Sequence, residues 1–181
     1  MKGGNFYNQH SSWQRAAMDP AEPLMLKAAA SLASNLASSG AVVVLGDLGC
    51  SQGANSQHPV SLIIEELQRA SKRKLGGDLC VQVFHVDQPS NDFNSLFSVL
   101  SQSDLSYQRK FPQGVYSYAE GKSFHESLFP PGTAHLIMTY CALHWISEKP
   151  DYDSISFTST AKRVSQKDRQ GIWGFFSLLL C

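Results

Sequence analysis

The 181-residue sequence has no C-x-x-C pair, no net charge and no long apolar run, and each absence closes off a class of function. Cys50, Cys80, Cys141 and Cys181 stand alone, so the paired ligands of zinc sites and thioredoxin-like centres are missing. The first three lie in or beside apolar runs, where a thiol behaves as a small buried hydrophobe. Isolated thiols point to a reducing, cytoplasmic compartment. The 15 Lys and Arg residues balance the 15 Asp and Glu, which leaves no basic field for nucleic acid. Lys72-Arg73-Lys74 is the one basic cluster; it falls where a helix should end, and cations suit a helix C-terminus. No stretch nears the ~20 apolar residues of a membrane span, and the N-terminus lacks the apolar core of a signal peptide.

Familiar catalytic and phosphate motifs are missing too. Gly46, Gly49 and Gly53 do not follow G-x-G-x-x-G, and no G-x-x-x-x-G-K-[ST] occurs, so neither the dinucleotide fingerprint nor a P-loop is present. His58, His85, His125 and His135 lack metal-ligand spacing such as H-E-x-x-H. No G-x-S-x-G marks a nucleophilic serine.

What is there is an α/β pattern. At 43% hydrophobic the chain can bury one sizeable core, and its length predicts about one domain. Residues 1–19 are polar apart from Phe6, Tyr7 and Trp13 and read as a loop or arm. Asp19-Pro20-Ala21-Glu22 reads as a helix start, with Asp as cap and Pro at the first position, and the Ala- and Leu-rich run continues to about Ser38. Apolar runs over about 41–46, 80–86 and 135–140 read as buried strands. Between them, periodicity predicts helices over about 59–71 and 91–100, and residues 103–133 read as loop. Strands alternating with helices imply a parallel sheet.

The strand ends collect the candidate chemistry. Asp47-Leu48-Gly49-Cys50-Ser51-Gln52-Gly53-Ala54-Asn55 follows the first strand, Asp87 ends the second, and Tyr140, His144 and Trp145 follow the third. Ligands of open α/β sheets bind at such carboxyl ends. An acid at the head of a glycine turn suits a hydroxyl-rich, partly cationic ligand better than a phosphate, and S-adenosylmethionine (SAM) fits that description. Asp47 also reads as the cap of a tight turn, and Asp87 either as an acceptor for two ribose hydroxyls or as a cap before Pro89-Ser90. Ser123-Phe124 offers a hydroxyl and an aromatic face, or an ordinary loop and a core ring. His144-Trp145 could line an apolar pocket, though such residues are commonly structural. Gln14 in the arm could reach a carboxylate as an amide donor.

Taken in order, these segments resemble the SABATH methyltransferases, the plant-type SAM-dependent enzymes acting on salicylate, benzoate, jasmonate and xanthine alkaloids. Met1-Lys2-Gly3-Gly4 with Tyr7, Ser11 and Gln14 is similar to the family's N-terminal arm. Asp47-Leu48-Gly49-Cys50-Ser51 with Gly53 and Asn55 is similar to its D-L-G-C-S-x-G-x-N turn. Asp87, Pro89 and Asn91-Asp92-Phe93-Asn94 resemble D-L-P-x-N-D-F-N. Ser123-Phe124 with Leu128-Phe129-Pro130, and Tyr140 with Leu143-His144-Trp145, complete five ordered motifs over residues 1–150.

The resemblance implies a Rossmann-like class I methyltransferase sheet, truncated and without most of the helical cap. It implies an arm (1–19), a SAM-binding α/β domain (20–150) and a divergent tail (151–181). Ser11, Asp47, Asn55, Asp87, Ser123 and Phe124 match SAM-binding positions, with Gln88 standing beside the adenosine site where the family usually has Leu. Gln14, Tyr140, His144 and Trp145 match acceptor-binding positions. The implied reaction methylates the carboxylate of a small acid. Such an acceptor is already a nucleophile, so no residue is assigned to proton transfer and catalysis is mostly positioning and desolvation. A homodimer is implied by the family alone. Three other readings stand beside this one: a non-catalytic fragment of such an enzyme, an N-methyltransferase of xanthine alkaloids, and an unrelated nucleotide-binding α/β enzyme. Two features depart from the family. The loop Gly114–Lys122 differs from its usual approach to the adenine pocket, and the family is about twice as long, so the chain reads as its N-terminal part, ending in an apolar segment, Gly171–Cys181, that matches nothing in it.

Overall fold

The computed structural model describes residues 6–36, 38, 40–142 and 145. The chain falls into two compact units, Met1–His144 and Trp145–Cys181, and all regular elements among the described residues lie in the first. The tail assigned to 151–181 lies outside the described residues.

Four parallel strands form one sheet: β1 (Val42–Leu48), β2 (Cys80–Asp87), β3 (Val115–Gly121) and β4 (Leu136–Thr139). Their order, β3-β2-β1-β4, places β1 inside the sheet. The chain steps outward from β1 to β2 to β3 and then returns to the far side of β1. The strand order therefore reverses between β1 and β4, where open α/β sheets hold ligands.

Three strands follow the apolar runs. The fourth, β3, lies in the segment read as loop. Its inward positions are Val115 and the small Ser117 and Ala119, while Tyr116 and Tyr118 face outward and are exposed. The alternation is present, but its aromatic side points away from the core. β3 pairs with β2 from Val81↔Val115 to Asp87↔Gly121.

The arm also differs from expectation. Residues read as a loop form two short helices, α1 (Phe6–His10) and α2 (Ser12–Met18). Asp19–Ala21 is a 3-10 turn without a side-chain cap, and α3 (Glu22–Asn35) follows, with Pro in its first turn where the missing N–H is harmless. α4 (Gln57–Leu75) ends as its basic cluster implies, with Lys72, Arg73 and Lys74 in the last turn and left-handed Gly76 as cap. α5 (Phe93–Gln102) starts at Asp92, whose carboxylate accepts the Ser95 N–H at 3.1 Å. A single turn, α6 (Tyr107–Lys110), leads towards β3.

The core joins Ala29 and Ala33 of α3, Val60, Ile63, Ile64 and Leu67 of α4, and the inward residues Val43, Leu45, Val81 and Val83 of the sheet. On the opposite sheet face Phe84 stacks on Tyr118 at 4.8 Å and meets the edge of Phe129 at 5.6 Å. Among the described residues no helix is long and apolar enough to cross a membrane.

Candidate functional site

β1 runs into Gly49, Cys50 and Ser51, and this turn folds back onto β2. The N–H groups of Gly49 and Cys50 donate to the Val86 carbonyl at 2.8 and 3.2 Å. Gly49 has φ +78°, and a Cβ there would collide with that of Ala142. Ser51 also lies in the left-handed region (φ 51°) although it carries a side chain. Backbone strain of this kind collects at ligand sites. One contact that holds it is the Ser51 N–H, which donates to Asp87 Oδ2 at 2.7 Å. Asp87 Oδ1 accepts the Gln88 N–H at 2.8 Å. Asp87 thus ties the ends of β1 and β2 together, and the cap of the following helix is Asp92. Burial raises its carboxyl pKa above the ordinary value; the Ser51 and Gln88 N–H bonds oppose that rise, and the Asp47 charge adds to it.

Asp47 is buried at the end of β1, opposite His85 in the register. Its Oδ2 is 2.8 Å from His85 Nδ1. Neither Asp47 nor Asp87 pairs with Lys or Arg among the described residues. Burial also pushes the Cys50 thiol well up, with the Asp47 and Asp87 charges adding to it.

The arm docks on this turn. Gln52 Oε1 accepts the N–H groups of Tyr7 and Asn8 at 2.9 and 3.4 Å, and its Nε2 donates to Asp92 Oδ2 at 3.2 Å. Asn8 Oδ1 accepts the Ala54 N–H at 3.1 Å. Asn55 Nδ2 donates to the carbonyl and hydroxyl of Ser11 at 3.2 and 3.0 Å. Two residues read separately in the sequence, Ser11 and Asn55, are therefore direct partners.

The other candidates spread around these. Gln14, on α2, accepts the Cys141 thiol at its backbone carbonyl at 3.8 Å, while its Oε1 is buried with no partner among the described residues. Tyr140 follows β4; its hydroxyl donates to Met25 Sδ at 2.7 Å, and burial raises its phenol pKa, with Asp47 adding to it. Ser123 and Phe124 follow β3 in a turn, where the Ser123 carbonyl accepts the Glu126 N–H at 3.0 Å and the Phe124 ring lies 4.6 Å from that of His125. Gln88 is exposed. His144 lies outside the described residues, and Trp145 belongs to the second unit.

Sequence reasoning missed three contributors. Tyr7 sits near Cys141 and Asp87, whose charges, after burial, raise its phenol pKa. Gln52 is the buried hub of the arm. His85 was weighed only as a metal ligand, and no group of potential ligands capable of holding a metal is found among the described residues.

Comparison with known proteins places this geometry. The family model described as SAM dependent carboxyl methyltransferase matches residues 1–168. Gibberellic acid methyltransferase 2 of Arabidopsis thaliana is 34% identical over 83% of this chain and 39% of its own length. The salicylate/benzoate carboxyl methyltransferase of the same plant is 28% identical over 82% and 39%, and a probable 7-methylxanthine methyltransferase of Theobroma cacao 31% over 84% and 41%. The chain thus spans about two-fifths of the length of these relatives. A solved loganic acid methyltransferase with SAH superimposes with a TM-score of 0.66 at 26% identity, covering 87% of this chain and 45% of that one. The parallel sheet, the acid-tipped turn after β1 and the match over most of the sequence agree: the chain belongs to the family of SAM-dependent carboxyl methyltransferases.

Proposed function

We propose that this chain is the cofactor-binding part of a methyltransferase that acts on the carboxylate of a small acid. One observation carries the reading: two buried carboxylates stand at the ends of adjacent strands, neither paired with Lys or Arg among the described residues. Such a site repels a phosphate and suits donors, and SAM presents an ammonium, a sulfonium and two ribose hydroxyls with no phosphate. When bound, it supplies an electrophilic methyl group.

In this reading Asp87, held by Ser51 and Gln88, keeps its outward lone pairs for the ribose hydroxyls. Asp47 serves the cationic end. Ser11 and Asn55, locked together, line the cofactor beneath the arm. Ser123, Phe124 and Gln88 border the adenine. Gln14 and Tyr140 border the acceptor. A carboxylate acceptor needs no base, so these residues act by orientation and by excluding water. The arm is assigned to residues 1–19, the cofactor domain to 20–150 and the tail to 151–181.

The family's own description, with relatives named for gibberellic acid and for salicylate and benzoate, supports an acid acceptor. The relative named for 7-methylxanthine gives a nitrogen acceptor as the second reading. The test is S-adenosylhomocysteine (SAH) binding to the purified chain by calorimetry, followed by methyl transfer from labelled SAM to salicylate, benzoate, gibberellic acid and 7-methylxanthine. Binding with transfer to an acid upholds the proposal, and transfer to the purine alone selects the second reading. Binding without any transfer makes the chain a non-catalytic cofactor-binding piece. A folded chain that binds no SAH refutes the site. Sedimentation of the same sample decides whether two copies pair.

A further inference from the structure

A buried polar chain crosses three strands behind the candidate site. Asp47 Oδ2 meets His85 Nδ1 at 2.8 Å, His85 Nε2 meets the Tyr107 hydroxyl at 2.7 Å, and that hydroxyl meets Ser117 Oγ at 2.6 Å. His85 and Tyr107 are fully buried, and Asp47 is 2% exposed. A carboxylate only accepts, so Nδ1 must carry hydrogen. With hydrogen on Nδ1 alone, Nε2 accepts from Tyr107, which in turn accepts from Ser117, and every hydrogen of the chain is used.

We infer that His85 is a positioning residue for Asp47: it pins Oδ2 inward and leaves Oδ1, which has no hydrogen-bond partner among the described residues, as the carboxylate oxygen offered to the cofactor. The role rests on the cofactor site proposed above. Bonds from both ring nitrogens forbid a ring flip, since a half-turn would replace both nitrogens with carbons. Tyr107 and Ser117 thereby fix the orientation of an acid on β1 from as far away as β3. The short spacing and the full burial of His85 and Tyr107 leave no room for water beside the ring.

The test compares His85→Leu with His85→Asn, whose amide nitrogen can occupy the place of Nδ1. SAH affinity is expected to fall about tenfold or more in His85→Leu and to recover most of that loss in His85→Asn. The His85 Nδ1–H resonance should be visible in the free chain and move on adding SAH. If His85→Leu does not fold, Tyr107→Phe releases the far end of the ring, and a loss of about threefold or more is expected. Wild-type affinity in the folded variants, with a resonance indifferent to SAH, would overturn the inference, provided Asp47→Asn weakens binding. If Asp47→Asn binds as wild type, or if wild type does not bind, the site itself is wrong and the role of His85 falls with it.

Discussion

Replacing Asp87 by Asn should make the chain a poorer binder, with a stability cost that shrinks as the pH rises. A carboxylate offers about four lone-pair sites, and the N–H groups of Ser51 and Gln88 take two of them. The remaining two match a pair of neighbouring hydroxyls. Asn has one carbonyl oxygen, which cannot serve both backbone donors and a ligand. Losing two charge-assisted bonds at ~1.5 kcal/mol each weakens SAH by ~3 kcal/mol, roughly 100-fold. Stability responds through pH. Burial raises the native Asp87 pKa, so the folded chain holds this proton to higher pH than the unfolded one. The stability contributed by this group is full below the ordinary carboxyl range and is lost as pH rises through the native value. Asn does not titrate, but its NH2 group must face one of the two backbone donors, so the variant lacks one of these bonds at every pH. The variant should therefore melt below wild type near pH 4, and the gap should narrow towards pH 7. Calorimetric titration with SAH and thermal melts across that range read both effects. An affinity within about threefold of wild type, or a melting difference that grows in favour of wild type with rising pH, would refute the reasoning.

Other outcomes follow from the same geometry. Gly49→Ala combines a left-handed φ with a Cβ driven into Ala142 and should destabilise the chain by about 2–4 kcal/mol in urea melts; a loss under ~1 kcal/mol would show that the turn can relax. Ser11→Ala and Asn55→Ala should be coupled by about 1 kcal/mol in a double-mutant cycle on stability, while additivity would mean the arm does not rest on this bond. Cys50, whose thiol is pushed up by burial and two nearby acids, should resist iodoacetamide at pH 8 until urea is added; rapid labelling of the native chain would contradict its burial.

The carboxyl-end turn was legible because apolar β1 and its glycines are local signals. The same holds for β2, α4 and α5. What escaped depends on distant partners. β3 hides because its neighbours, not its own composition, decide which face is inward: Ser117 and Ala119 face in while two tyrosines face out. The arm helices have no apolar stripe of their own, and the buried amide of Gln52, 45 residues from Tyr7, helps hold them. His85 shows nothing in isolation; only the register that sets it opposite Asp47, 38 residues away, gives it a role.

That register also constrains how the protein can change over generations. Asp47, His85, Tyr107 and Ser117 lie on four separate elements yet share three bonds. Losing one member strands its neighbour, which is unfavourable, and exchanging two adjacent members still takes a partner from a third. Each step along the path is therefore opposed by the members that remain. Lineages carrying this quartet are expected to keep it whole or to lack all of it.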